Sequence, residues 1–346
     1  MPRTLDLTFA ARLAALAVAL TLTLPACADD TDPNLHPFGP FTIAAHQEVI
    51  GTCVQISLDN PEALYINSVE LTTGPGFHHS NWFFVPESVF FGDDGTFPCS
   101  DRDYSESTAV LFGGVLFAQS TQSPHEIQAF PPGAAVRIPP HAKLVTQPHL
   151  LNPGDDAIHA TPSIRLNPIA QAEVTTLLAG VSFEDQALAI PSHAQSRFTV
   201  ECDLAALYQQ KYQRDPDFKL YYALAHYHTL GTGLTLEAVK PDGSAATVFT
   251  TSHRAGDTLG GPIAPLFDMT GYTKLRMSCN YVNPRDTIVG WGIGDQEMCV
   301  LLAFSDSPAN FDGGATDDMP GEPTVVDTNV MSYTHACQTY AIDASQ

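Results

Sequence analysis

Short apolar or alternating runs, broken by Gly, Pro, Asn or Asp, recur along most of this chain. Phe41-Thr42-Ile43, Val54-Gln55-Ile56-Ser57-Leu58, Ala63-Leu64-Tyr65-Ile66, Trp82-Phe83-Phe84-Val85, Val110-Leu111-Phe112, Ala135-Val136-Arg137-Ile138 and Lys143-Leu144-Val145-Thr146 all read as strands. The texture resumes with Phe198-Thr199-Val200, Leu220-Tyr221-Tyr222-Ala223-Leu224, the run 234–239, Leu275-Arg276-Met277 and Val300-Leu301-Leu302-Ala303-Phe304. Residues 204–211 fit a short helix or an irregular loop, and residues 312–323 (DGGATDDMPGEP) a solvated insertion loop. Strands at this spacing predict antiparallel β-sandwiches. A boundary near residues 178–182 divides them into a body over 41–180 and a second over 181–346.

The start of the chain has a different pattern. Arg3 and Arg12 precede an apolar run, 13–24, too short to span a bilayer comfortably and of the length of an export signal, so residues 1–26 are set apart as a signal peptide. Leu24-Pro25-Ala26-Cys27 resembles the lipobox of bacterial lipoproteins, which makes Cys27 a lipidation site; ordinary cleavage near Ala28 is the alternative. Residues 27–40 then read as a polar, proline-broken tether. These features predict an exported chain, in the periplasm or at the outer membrane or cell surface as a lipoprotein, touching membrane only through its N-terminal lipid.

Composition agrees. The 346 residues carry a formal net charge of −23, which argues against nucleic acid or an anionic membrane surface as a partner. Of seven cysteines, six remain when Cys27 is set aside, an even number in a compartment where disulfides persist. Six cysteines allow fifteen connectivities. Pairing within each body is the simplest: Cys53–Cys99 in the first, Cys279–Cys299 and Cys202–Cys337 in the second.

Two constellations carry chemistry. Alternation along a strand puts His226 and His228 of the His-Tyr-His triplet on one face, a bidentate half-site. Met298 is a candidate third ligand, because neighbouring Cys299 points the opposite way and can fix that strand to Cys279. A thioether beside two imidazoles favours copper that cycles through Cu(I). The other constellation is His78, His79 and His149. Adjacent histidines diverge on a regular strand, so either the backbone is irregular, as Gly74-Pro75-Gly76 permits, or the two rings use different nitrogens. Three imidazoles hold copper in either oxidation state and suit an electron relay. Remaining histidines are given solvated or capping roles.

The fragments GPGFHHSN, VTQPHLLNP, LAHYHTLG and GDQEMC, in that order and with cysteines flanking, resemble the copper type II, ascorbate-dependent monooxygenases, the family of the peptide-amidating and dopamine-hydroxylating enzymes. The likeness runs from about Val49 to Phe304. It implies an all-β chain of two tandem antiparallel jelly-roll β-sandwich domains facing across a solvent-filled cleft. It further implies two copper ions: an electron-transfer ion on His78, His79 and His149, and an oxygen-binding ion on His226, His228 and Met298. Ascorbate or another one-electron donor would reduce both, and a substrate C–H bond would be hydroxylated with O2. Gln147 falls where the family has a glutamine between the copper sites.

Substrate is where the chain departs from the family. The arginine that clamps a peptide carboxylate is replaced by Leu224, and the family's asparagine and tyrosine after the ligand methionine are replaced by Val300 and Leu302. A buried peptide carboxylate would be uncompensated, so Leu224, Val300 and Leu302 predict a pocket for a small apolar organic substrate. Ser80 stands where many members have methionine, and Pro148 interrupts the strand before His149. A non-catalytic copper-binding surface lipoprotein on the same scaffold is the alternative. An adhesion module with incidental histidines would take no stoichiometric copper. A zinc hydrolase is disfavoured by the thioether and by the lack of a carboxylate base beside either cluster.

Overall fold

The computed structural model describes residues 32–316, 324–327 and 329–344. The export signal and Cys27 lie outside the described residues, as does the start of the expected tether. The sheet begins earlier than the tether reading allows. Leu35–Pro37 is a strand paired with Ser163–Pro168. Phe38 is buried against Trp82, ring centroids 4.8 Å apart, because an aromatic there caps the first core.

The chain is almost wholly β, as the turn-punctuated runs predict. Among the described residues, strands up to Thr176–Leu177 pair only with one another, and strands from Ala179–Asp185 onward do likewise. The first set forms a six-stranded sheet around Leu64–Thr72 and a five-stranded sheet around Ala142–Thr146, with smaller ladders between. The second set forms two six-stranded sheets that enclose one core containing Phe198, Leu220, Leu234, Met277 and Leu301. Pairing is mainly antiparallel. Three ladders are parallel, however: Ala134–Ile138 with Thr176–Leu177, Ala179–Asp185 with Ala309–Ala315, and Ala194–Asp203 with Val330–Ala336. Each joins strands separated by a long connection, which permits either direction.

Strand pairing separates two halves, but apolar packing joins them: residues 33–346 form one compact unit. Lys219–His226 shows why. From Leu220 on, every residue is buried, the mark of a strand covered on both faces. Ala223 and Ala225 face the core of their own half. Tyr222 and Leu224 join Phe304 and Phe130 in the core of the first half, with Phe130 and Phe304 centroids 5.0 Å apart.

Two local readings are corrected. Val110-Leu111-Phe112 is not a strand but the end of helix Glu106–Phe112, which Ser105 caps by accepting the Thr108 N–H. Ala309–Ala315 is a strand, so the expected loop at 312–323 gives up its first four residues to the sheet; residues 317–323 lie outside the described residues. Helix Ala205–Tyr212 realises the helical option for its segment. All three disulfides pair within their halves: Cys53–Cys99, Cys202–Cys337 and Cys279–Cys299. Three disulfides fit a chain that matures in an oxidising, extracytoplasmic compartment.

Candidate metal centre

His78 and His79 sit on Phe77–His79, a strand of only three residues. It is entered through Gly76, whose φ of +82° and close approach to Ile43 (a Cβ would meet Cδ1 at 2.7 Å) leave room for glycine alone. Opposite, His149 opens strand His149–Asn152, and the register between the two strands shifts at His149/Leu150. An irregular backbone, rather than two different ring nitrogens, therefore resolves the problem of adjacent histidines. Nδ1 of His78 and Nδ1 of His79 are 2.9 Å apart, and one nitrogen from each of His78, His79 and His149 lies within 4.8 Å of the others. Nitrogens bound to one ion at about 2.0–2.1 Å stand about 3 Å apart. His149 is oriented by Glu48, Nε2 to Oε1 at 2.7 Å, which leaves its Nδ1 buried without a partner.

The second group is built at a strand end. Lys219–His226 stops at His226, so His228 lies in the turn beyond, yet the two rings stand side by side with centroids 5.5 Å apart. His226 Nδ1 lies 3.2 Å from Thr121 Oγ1, and His228 Nδ1 donates to the Gln296 carbonyl at 2.8 Å. Both Nε2 atoms are consequently buried and unpartnered. Anchoring one imidazole nitrogen to a fixed acceptor is how a ligand ring is aimed and its other nitrogen kept bare.

Met298 follows a segment clasped to this turn. The buried Glu297 carboxylate accepts the N–H of His228 at 2.8 Å and of Leu230 at 2.6 Å. Burial lifts its carboxyl to about 7, while backbone N–H donors from Leu230, His228 and Met298 pull the other way. Tyr281 donates its hydroxyl to the Met298 carbonyl at 2.6 Å. His226 pairs with Val300 across the sheet, the last pair of that ladder, and Met298 precedes the strand that begins at Val300. Met298 is half-buried, and Cys299 beside it is turned into the core and bonded to Cys279.

The two groups meet. Ring centroids of His78 and His228 are 4.9 Å apart, and those of His79 and His226 4.5 Å. At the histidines there is thus no open cleft: five imidazoles form one array, four of them no more than 4% exposed. Burial first, then repulsion from neighbouring rings, lowers the pKa of His78 to about 3 and holds His79 and His226 well below the ordinary value. Burial also lowers that of His228. The rings of His78, His79, His226 and His228 therefore stay neutral near pH 7 with lone pairs available, the state that metal binding requires. A groove of about 450 Å³ lined by Gly74, Pro75, Gln122, Pro124 and Leu151 reaches His78 from outside.

Other expected residues fall less neatly. Gln147 lies in the break between Ala142–Thr146 and His149–Asn152, not on the strand of His149, because Pro148 cannot continue the ladder. It is half-buried and makes no hydrogen bond among the described residues. Leu224 pairs with Leu302 on the face that carries His226 and Val300. Leu224 itself is buried in the apolar junction, whereas Val300 and Leu302 are half-buried. Leu302 also lines a separate cavity of about 190 Å³ with Phe83, Val115 and Phe311. His335, expected to be solvated or capping, is buried, its Nδ1 2.8 Å from both oxygens of Asp185.

Sequence reading missed Glu48, Thr121 and Gln296, which aim the rings, and Glu297, which ties the turn to the methionine segment. Glu297 stood in plain view beside Met298. Glu48 and Thr121 carry no local signal, since only the fold brings them to the histidines.

No family model matches the chain, and no curated protein does. Among solved structures it is similar to the PBSX exported protein XepA at 8% identity, over 78% of this chain and 85% of that one, with a TM-score of 0.21. It is also similar to the major capsid protein P2 from bacteriophage PM2, at 6% identity over 79% and 96%, TM-score 0.25. A third is a putative secreted protein from Parabacteroides distasonis, at 9% identity over 79% and 88%, TM-score 0.19. Likenesses at such scores carry no weight for chemistry.

Proposed function

We propose that this chain is a copper-dependent monooxygenase that hydroxylates a C–H bond of a small, apolar organic substrate with O2 and ascorbate or another one-electron donor. One observation carries the reading: within a single buried array, three ring nitrogens (His149 Nδ1, His226 Nε2 and His228 Nε2) have no partner, while the opposite nitrogen of each ring is anchored. A buried unpaired polar atom costs about 1–3 kcal/mol, and three aimed inward fit a set of donors for metal. His78, His79 and His149 would hold one ion, and His226 and His228 with Met298 the other. Bound copper supplies one-electron chemistry with dioxygen. The chain's own residues bury the rings and fix which nitrogen is bare, and Leu224, Val300 and Leu302 would supply the apolar wall toward a substrate. The groove at His78 is the route by which a small donor reaches the first group. Lipid at Cys27, holding the protein at a membrane, belongs to the same proposal; intact mass of the mature N-terminus tests it.

The test is oxygen consumption by copper-loaded protein with ascorbate across a panel of apolar and aromatic C–H donors. Substrate-dependent uptake with hydroxylated product supports the reading. Two bound coppers with no product from any donor would instead leave the second reading, a non-catalytic copper-holding surface lipoprotein. A specific observation favours that alternative: the histidines of the two halves touch, with no gap between them for a substrate.

A further inference from the structure

Residues 119–123, Gln-Ser-Thr-Gln-Ser, are polar throughout, yet Gln119, Ser120 and Thr121 are fully buried. This segment belongs to the first half and bonds to both halves. On its own side, the Gln119 N–H donates to the Ser80 carbonyl at 3.2 Å and the Gln122 N–H to the carbonyl of His78. On the other, Thr121 accepts the Gly256 N–H at its carbonyl, 2.8 Å, and Ser120 Oγ accepts the Leu259 N–H at 2.7 Å. Ser120 is held in turn by buried Glu126, at 2.6 Å through both its N–H and its hydroxyl.

Thr121 Oγ1 lies 3.0 Å from the Tyr227 carbonyl and 3.2 Å from His226 Nδ1. A hydroxyl has one proton. The carbonyl can only accept, so that proton goes to Tyr227. What Oγ1 has left for His226 is a lone pair, which demands a proton on Nδ1. The neutral ring then carries its free lone pair on Nε2, the atom that is buried without a partner. The Gln119 carbonyl, from the same segment, also accepts from the His226 ring. We infer that Thr121 is a positioning residue: from the first half, together with Gln119, it sets the tautomer and direction of His226 in the second. His226 is therefore aimed only while the halves are docked. This inference rests on the copper reading for its purpose, but not for its geometry.

Two substitutions in the full, disulfide-bonded chain test it. Thr121→Val keeps the shape and removes the hydroxyl; Thr121→Ser keeps the hydroxyl. In metal-free protein, nitrogen-detected NMR should show a protected Nδ1–H on His226 in wild type and in Thr121→Ser, and faster exchange of that proton in Thr121→Val. Cu(I) titration against a chromophoric chelator should show one of two sites weakened about tenfold or more in Thr121→Val. The other site should be unchanged, and Thr121→Ser should stay within about threefold of wild type. An Nδ1–H equally protected in Thr121→Val, or the serine variant losing as much as the valine, overturns the assignment. Wild-type protein that keeps the protected proton but takes up no copper removes the oxygenase reading and leaves the role of Thr121 standing.

Discussion

Replacing Glu297 with alanine should loosen the turn that carries His228. The side chain is 1% exposed and serves as acceptor for backbone N–H groups of His228 and Leu230, at 2.8 and 2.6 Å, and of Met298. A buried N–H stripped of its acceptor costs about 1–3 kcal/mol. Three such groups, partly resatisfied by water entering the emptied space, give a loss of roughly 4 kcal/mol. For a body of this size that corresponds to a fall of about 8 °C in the melting midpoint. Glu297→Gln keeps one oxygen in place, able to accept from two donors, and should cost only about 1 kcal/mol. Calorimetry of metal-free protein with disulfides intact measures both. Copper titration of the same samples should show the His226/His228 group weakened in the alanine variant and the His78/His79/His149 group retained. An alanine variant melting within about 2 °C of wild type would refute the clasp.

Met298→Ile removes the sulfur and keeps the bulk; copper at the His226/His228 group should drop below half occupancy in equilibrium dialysis, with the first group still filled. Acid should weaken copper binding less than for ordinary imidazoles. A ring titrating at 6.5 loses about 8-fold of its neutral form between pH 7 and 5.5, so two rings would cost about 70-fold. Because burial holds the pKa of His226 and His228 below that value, their neutral forms persist as pH falls. A chelator competition series over that range should therefore show a smaller loss, and a full 70-fold loss would mean the rings are not buried as described.

How much of this could be read from the chain differs between elements. Period-two runs and Gly/Pro punctuation gave the β class, because one-sided burial writes itself into alternation. Lys219–His226 shows the limit: buried on both faces, it reads as a plain apolar run, and nothing local says that Leu224 faces the other half rather than a substrate. That the histidines His78, His79, His149, His226 and His228 belong together was legible because their types and order are unusual, and the fold does bring their rings into contact. Side chains that aim them were not, because Glu48 lies 101 residues before His149 and Thr121 lies 105 before His226. Val110-Leu111-Phe112 misled because three apolar residues fit helix and strand equally, and the Ser105 cap decides the matter.

Closure of the array raises a question of access that the contacts themselves answer in part. Parting the halves would expose Tyr222, Leu224, Phe304 and Phe130, each worth about 1.5–3 kcal/mol when buried. It would also break the bonds from Gly256 and Leu259 to the 119–123 segment. The sum exceeds about 5 kcal/mol, so the open form is populated at less than about one part in several thousand. Turnover that required full opening on each cycle would pay that population as a rate factor. On the copper reading proposed above, the closed pair would be the state in which electrons pass between the two groups, and a small substrate would have to reach His226 and His228 by local movement near Val300 and Leu302. Native-state hydrogen exchange decides this at two amides. The N–H groups of Gly256 and Leu259 end on acceptors of the first half and should be protected several thousandfold, together and with equal opening free energy. Exchange at either within tenfold of an unstructured peptide would mean the halves part freely, and the single five-imidazole array would then be one conformer among several.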